Sequence, residues 1–276
     1  MAAIVIIPAR YGSTRFPGKP LCHLLGKPMI QHVYERVRDA RLVQDVFIAT
    51  DSTAIFSAVE GFGGKAVMTS TEHRSGTDRI AEAVTKLSEA GEIGAQGKQD
   101  EQIIVNVQGD EPLIISEMVD AVIGLMEDER AAIGTLAKRI RTLEEIEDPN
   151  VVKVVFNDEG FALYFSRSPI PYHRDLSSKD YAVSSKEKES SPERAYSLLP
   201  TAYFYKHIGI YAYRKDVLMK FSRLAPTRLE EIEKLEQLRA LESGFKIKVH
   251  ETRHETIGVD TVMDLERVEK CLSLSS

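Results

Sequence analysis

Short apolar runs alternate along the chain with stretches whose apolar residues recur every three or four positions, and this alternation predicts a mostly parallel sheet flanked by helices. Ala3, Ile4, Val5, Ile6 and Ile7 predict the first strand, apolar on both faces and therefore buried. Residues 28–41 set Ile30, Val33, Tyr34 and Val37 on one face and predict a helix with Pro28 in its first turn. Further strands are expected at 46–49, 66–68 and 103–107, and helices at 53–59, 77–90 and beyond Ser116. The pattern changes after Val151. Two β-rich runs, 151–156 and 162–165, flank Asn157-Asp158-Glu159-Gly160 and predict a hairpin. Residues 173–205 are rich in Ser, Lys and Glu without useful periodicity, so a mobile loop is expected there. A strand at 207–213, helices at 217–224 and 229–242, a strand at 245–249 and a helix at 261–272 complete the pattern. The spacing predicts that Leu229, Ile232, Leu235 and Leu238 share one face of the 229–242 helix, leaving Glu230, Glu233 and Gln237 on another.

The 276 residues suit one α/β domain over 1–276, with 151–213 as a smaller β-rich lobe within it. A net charge of −6 argues against a nucleic-acid-binding protein, which would show a basic face. Cys22 and Cys271 lack the paired spacing of a zinc site, and a reducing, cytoplasmic setting is expected. The apolar start has no basic leader and is shorter than the roughly 20 residues of a bilayer span, so no membrane partner is expected.

Candidate chemistry begins directly after the first strand, at Pro8-Ala9-Arg10-Tyr11-Gly12-Ser13-Thr14-Arg15-Phe16-Pro17-Gly18-Lys19-Pro20. Glycines allow close backbone approach, and Arg10, Arg15 and Lys19 supply the charge that a polyphosphate requires. The place also fits, because open parallel sheets bind ligands beyond the carboxyl ends of their strands. A Walker A loop is excluded: Gly12 and Gly18 enclose five residues and Lys19 precedes Pro20. A dinucleotide fingerprint is excluded by the lack of Gly-x-Gly.

The segment Ile7-Pro8-Ala9-Arg10-Tyr11-Gly12-Ser13-Thr14-Arg15-Phe16-Pro17-Gly18-Lys19-Pro20-Leu21 resembles the opening signature of the 3-deoxy-manno-octulosonate (KDO) cytidylyltransferases, also called CMP-KDO synthetases. The likeness continues through Ala49-Thr50-Asp51, Ser75-Gly76-Thr77-Asp78-Arg79, Val105-Asn106-Val107-Gln108-Gly109-Asp110-Glu111-Pro112, Tyr164-Phe165-Ser166-Arg167, His207-Ile208-Gly209-Ile210-Tyr211, Leu235-Glu236-Gln237-Leu238-Arg239 and Gly258-Val259-Asp260-Thr261. Sialic acid cytidylyltransferases are similar in the first motif but typically have Gly-Ser-Lys where this chain has Ser13-Thr14-Arg15.

The resemblance implies a nucleotide-diphospho-sugar transferase-like fold whose β-rich lobe serves dimerisation and sugar binding. It also implies a homodimer and transfer of CMP from CTP to KDO for lipopolysaccharide biosynthesis. Asp110 and Asp260 are the expected magnesium ligands; from position alone each would be read as a cap. Ala9, Arg10, Gly12, Ser13, Thr14, Arg15, Lys19, Ser75, Gly76, Arg79 and Asp110 are expected to hold the nucleotide, with Arg15 and Lys19 stabilising the departing pyrophosphate. Gln108, His207, Tyr211, Glu230, Glu233 and Gln237 are expected around the sugar, and Arg167 on its carboxylate. Transfer to 8-amino-KDO or sialic acid, a silent nucleotide-binding protein and a kinase-like phosphotransferase remain as alternatives.

Overall fold

The computed structural model describes residues 2–12, 16–73, 75–93, 102–172, 174 and 204–274. The loop expected at 173–205 therefore lies almost wholly outside the described residues, as do Ser13, Thr14 and Arg15. In chain order the strands are β1 (Ala3–Ala9), β2 (His23–Leu24), β3 (Lys27–Pro28), β4 (Val43–Thr50), β5 (Ala66–Met68), β6 (Ile103–Asn106), β7 (Ile133–Arg139), β8 (Lys153–Phe156), β9 (Ala162–Ser166), β10 (Tyr205–Arg214) and β11 (Ile247–Glu251). The helices are α1 (Met29–Arg38), α2 (Thr53–Gly61), α3 (Gly76–Glu89), α4 (Ser116–Gly124), α5 (Leu143–Glu147), α6 (Lys215–Phe221), α7 (Arg228–Glu233), α8 (Gln237–Glu242) and α9 (Val262–Leu274).

All strands except β2 and β3 form one mixed sheet in the order β11-β7-β10-β6-β1-β4-β5, with β8 joined to β10 and β9 to β8. Strands β1, β4, β5 and β6 are parallel, as are β7 and β11, whereas β10 runs antiparallel to β6 and β7. Alternation along β1 divides the core. Ala3, Val5, Ile7 and Ala9 pack with apolar residues of α1, α2 and α4, while Ile4 and Ile6 pack on the other face with those of α3 and α6. Helices on both faces explain why β1 is apolar without interruption. The expected hairpin is present as β8 and β9, but it extends the sheet through Val154–Tyr205 and Lys153–Lys206 pairing.

Three expectations are corrected. Strand β7 has no counterpart in the periodicity: Gly134 and Thr135 interrupt its apolar run, yet it is buried between β10 and β11. Gly134 is needed there, since an added Cβ would lie 3.2 Å from the Val122 carbonyl oxygen and from Leu125 Cβ. Pro28 precedes α1 as its N-cap with an extended ψ of 141° and is not within the first turn. The helix expected over 229–242 is two helices, α7 and α8, because Lys234 adopts φ 54° and turns the chain. A strict spacing of three drifts by about 60° per step around a helix of 3.6 residues per turn, so Leu229 and Leu238 could not have shared a face. Accordingly, Ile232 is 66% exposed while Leu235 and Leu238 are buried.

Candidate active site

The carboxyl ends of β1 and β6 and the start of α3 enclose a cavity of about 300 Å³. Its lining includes Ala9, Arg10, Lys19, Ser75, Gly76, Arg79, Gln108, Asp110 and Asp260, which the sequence had assigned to the nucleotide, the metal or the sugar. Gly12 lies in the basic loop but is not part of this lining. The loop is pinched at its base, where the Gly18 N–H donates to the Tyr11 carbonyl over 3.0 Å. Gly18 takes φ 70°, a conformation open to glycine, and so turns the chain into the short 3-10 segment Lys19–Leu21. Gly109 forms the opposite wall; a Cβ there would come 3.0 Å from the Pro8 carbonyl oxygen.

Lys19 projects between the two aspartates. Its Nζ lies 2.6 Å from Asp110 Oδ2 and 3.3 Å from Asp260 Oδ1. Asp110 and Asp260 are 150 positions apart in sequence, and a backbone bond brings them together: the Val259 N–H donates to the Asp110 carbonyl over 2.9 Å. Capping at the start of α9 falls to Thr261 and Asp264, and the Asp260 carboxylate reaches Lys19. Two carboxylates converging on one cation beside a basic cavity match the needs of magnesium, which takes one or two carboxylates and completes its octahedron with water and phosphate oxygens. Among the described residues, no group of three or more His, Cys, Asp and Glu side chains could form an all-protein metal cage.

Around the cavity, α3 begins at Gly76 with Ser75 as N-cap, its Oγ accepting from the Asp78 N–H over 3.1 Å. The amides of this first turn make the rim favourable to negative or polar ligand groups. Arg79 is 4% exposed, and its guanidinium is occupied by Asp51 Oδ2 at 2.6 Å and by Thr69 Oγ1 at 2.5 Å. It therefore ties α3 to the end of β4 and to the stretch after β5, a framework role within the cavity wall.

A second group surrounds β10. The register shifts between Ile208 and Tyr211, and the Thr135 hydroxyl fills the resulting bulge, bonding the carbonyls of Ile208 and Ile210 at 3.2 and 2.8 Å. The same oxygen lies 3.0 Å from His207 Nε2. The His207 ring also packs edge-on against Phe165 and beside Tyr211. Burial pushes the His207 pKa down to about 3, so the ring is neutral at physiological pH. Its ordinary value is near 6.5, so between about 3 and 6.5 the unfolded chain binds more protons at this site and the group makes stability rise with pH. His207→Gln is accordingly expected to flatten the slope of unfolding free energy between pH 4 and 6.5, measured by urea titration. An unchanged slope would show that His207 titrates normally.

The structure places the remaining sugar assignments among framework contacts. Arg167 donates from Nε to the Glu233 carbonyl at 2.7 Å and from a terminal nitrogen to the Pro149 carbonyl at 2.8 Å, making it a strut between β9 and α7. Glu233 accepts from the Ser166 hydroxyl at 2.6 Å and the Arg167 N–H at 2.9 Å. Glu230 is gripped by Arg239 through two bonds of 2.7 and 2.6 Å and caps α7 with Thr227. These side chains are already committed within the framework. Gln237 is buried on α8 and is separated from their helix by the turn at Lys234. If Glu230 serves the fold, Glu230→Ala removes one partner of a largely buried pair and should cost about 3 kcal/mol, while the KM for sugar stays within about twofold. Thermal unfolding and sugar titration of the variant check both halves; a large KM rise without loss of stability would return Glu230 to the sugar site.

Two acids were missed. Glu111 is raised to about 7, first by burial and then by the Asp110 charge, and Glu236 is raised by burial while bonding the Thr77 hydroxyl at 2.6 Å. Both charges act on Tyr211, whose phenol is pushed up chiefly by burial. Each sits beside an assigned residue, in Gly109-Asp110-Glu111-Pro112 and Leu235-Glu236-Gln237-Leu238-Arg239, which is the sequence signal that could have found them.

The chain is similar to known proteins over its whole length. A family described as cytidylyltransferase matches residues 4–249. The chain is 52% identical over 276 residues to the 3-deoxy-manno-octulosonate cytidylyltransferase of Thermodesulfovibrio yellowstonii, covering 100% of both chains. It is 53% identical over 271 residues to the protein of the same name from Geobacter sulfurreducens, covering 97% of this chain and 98% of that one. Among solved structures, CMP:2-keto-3-deoxy-manno-octonic acid synthetase complexed with CTP superposes with a TM-score of 0.82 at 41% identity over 100% of both chains. A cytidylyltransferase from Leptospira borgpetersenii, at 16% identity and a TM-score of 0.58 over 99% of this chain and 88% of that one, shares the fold. With the cavity, the paired aspartates and these full-length likenesses together, the chain belongs to the 3-deoxy-manno-octulosonate cytidylyltransferase family.

Proposed function

We propose that the chain joins the CMP part of CTP to the anomeric hydroxyl of KDO, releasing pyrophosphate, with magnesium as cofactor. The full-length relatives carry this name, and the neighbour at 41% identity is a CTP complex. The observation that supports the reaction most strongly is the placing of Lys19, Asp110 and Asp260 at one end of the cavity. In the step itself, the hydroxyl oxygen bonds to the α-phosphorus as the bond to the β-phosphate bridging oxygen breaks. The hydroxyl proton is released, and the leaving oxygen carries its electron pair away on pyrophosphate.

Asp110 and Asp260 would hold magnesium, which when bound lowers the basicity of the attacking oxygen and neutralises phosphate charge. Lys19 and Arg15 supply cationic charge to the departing pyrophosphate, and Arg10 with Ser75, Gly76 and Arg79 forms the wall that receives the nucleoside. Gln108, His207, Tyr211 and Gln237 are the groups we assign to the sugar. Neutral His207 acts there as a hydrogen-bonding partner and carries no charge.

We further propose a cytoplasmic homodimer, as family resemblance implies. Among the described residues, no helix is long and apolar enough to cross a membrane. CTP labelled in its α-phosphate tests the reaction class. Label recovered in a sugar nucleotide supports nucleotidyl transfer; label remaining in CDP would show a phosphotransferase, and label remaining in CTP with every sugar would show a silent binding protein.

A further inference from the structure

Asp260 leaves the chain at an exposed corner between Gly258 and the start of α9, a poor place to hold a carboxylate still. The local bonding offsets this. Asp264 Oδ2 accepts from the Thr261 N–H at 2.8 Å, from the Thr261 hydroxyl at 2.8 Å, and from the N–H of Asp260 itself at 3.1 Å. The Thr261 hydroxyl in turn accepts from the Asp264 N–H at 3.2 Å. A reciprocal capping box requires only the bond between Asp264 and the Thr261 amide and its return. The bond to Asp260 is additional, and it fixes the peptide from which the metal-site carboxylate projects.

On its other side this peptide is anchored by the Val259 N–H on the Asp110 carbonyl. Val259 itself is fully buried in a small apolar cluster with Leu24, Met29, Val268 and Leu272. That cluster joins α9 to the segment following Lys19. The backbone of Asp260 is thus held from both sides, by Asp110 through Val259 and by α9 through Asp264.

We infer that Asp264 is a positioning residue of the metal site, holding the Asp260 backbone so that its carboxylate meets Asp110 across the cavity. The inference rests on the proposed metal role of Asp110 and Asp260. Groups that orient a metal ligand are worth about 10- to 100-fold in metal affinity when removed. A cap acting only on helix stability would leave that affinity unchanged.

The test is binding of Mn²⁺ by the enzyme with CTP, followed by electron paramagnetic resonance, alongside the Mg²⁺ dependence of turnover. Asp264→Ala is expected to weaken Mn²⁺ binding and raise the half-saturating Mg²⁺ concentration by about tenfold, with the KM for sugar nearly unchanged. Asp264→Asn keeps an acceptor but loses the charge, and charged hydrogen bonds are about twice as strong, so it should fall between Ala and the parent. If the Ala variant does not fold, the Asn variant carries the test by itself. Mn²⁺ affinity equal to that of the parent in whichever variants fold, with Asp110→Ala losing the ion, would overturn the positioning role. Parent and Asp110→Ala binding the ion equally would instead refute the metal reading on which it rests.

Discussion

Asp110→Ala is expected to lower the rate of pyrophosphate release by about a thousandfold or more, since a metal centre contributes several kcal/mol of charge stabilisation and each 1.36 kcal/mol is tenfold in rate. The expectation follows from where the carboxylate stands. Asp110 follows β6, with Gly109 packed closely against Pro8, so its place is fixed by the sheet. The fold should tolerate the change. The Lys19–Asp110 pair is part-buried, with side chains 12% and 33% exposed, and Asp260 remains as a partner for Lys19 when Asp110 is removed. Circular dichroism and thermal unfolding close to those of the parent, combined with lost turnover, would assign the effect to chemistry. Turnover within tenfold of the parent would remove Asp110 from the metal site.

Lys19→Ala should lower kcat by roughly a hundredfold or more, the usual consequence of losing an electrostatic group that acts in the transition state. The geometry adds a second expectation of opposite sign. Lys19 neutralises two carboxylates, at 2.6 and 3.3 Å, so its removal leaves Asp110 and Asp260 facing each other without that charge. Like charges so placed favour a divalent cation, and half-saturation should need less Mg²⁺ even as turnover falls. Steady-state kinetics across a magnesium titration separates the two effects. A near-normal kcat would exclude Lys19 from transition-state stabilisation, and an increased magnesium requirement would show that it helps to build the metal site.

Much of this arrangement was legible in the sequence. β1 is apolar on both faces because helices cover both, and the cations clustered after it lie where a parallel sheet opens its crevice. The hairpin of β8 and β9 was legible because β-rich runs bracket a turn, whereas β7 was not, because it is buried on both faces and carries Gly134 and Thr135. Periodicity also failed at Lys234, where one left-handed residue turns a run of helical composition into two helices.

Within the site, positions were easier to read than duties. Arg79 and Arg167 are polar residues in distinctive motifs, yet each is spent on a partner from another part of the chain: Asp51 and Pro149. Such pairings depend on tertiary contacts that composition and spacing do not encode. The convergence of Asp110 and Asp260 was likewise implied only by resemblance. Its physical cause, the bond from Val259 to the Asp110 carbonyl, belongs to the folded backbone.

The most direct test of the central claim is pyrophosphate release from CTP and magnesium with KDO, its 8-amino analogue and sialic acid supplied separately. The account predicts the highest kcat/KM with KDO and a product containing one CMP per sugar. Efficient release with one of the other sugars and none with KDO would contradict it.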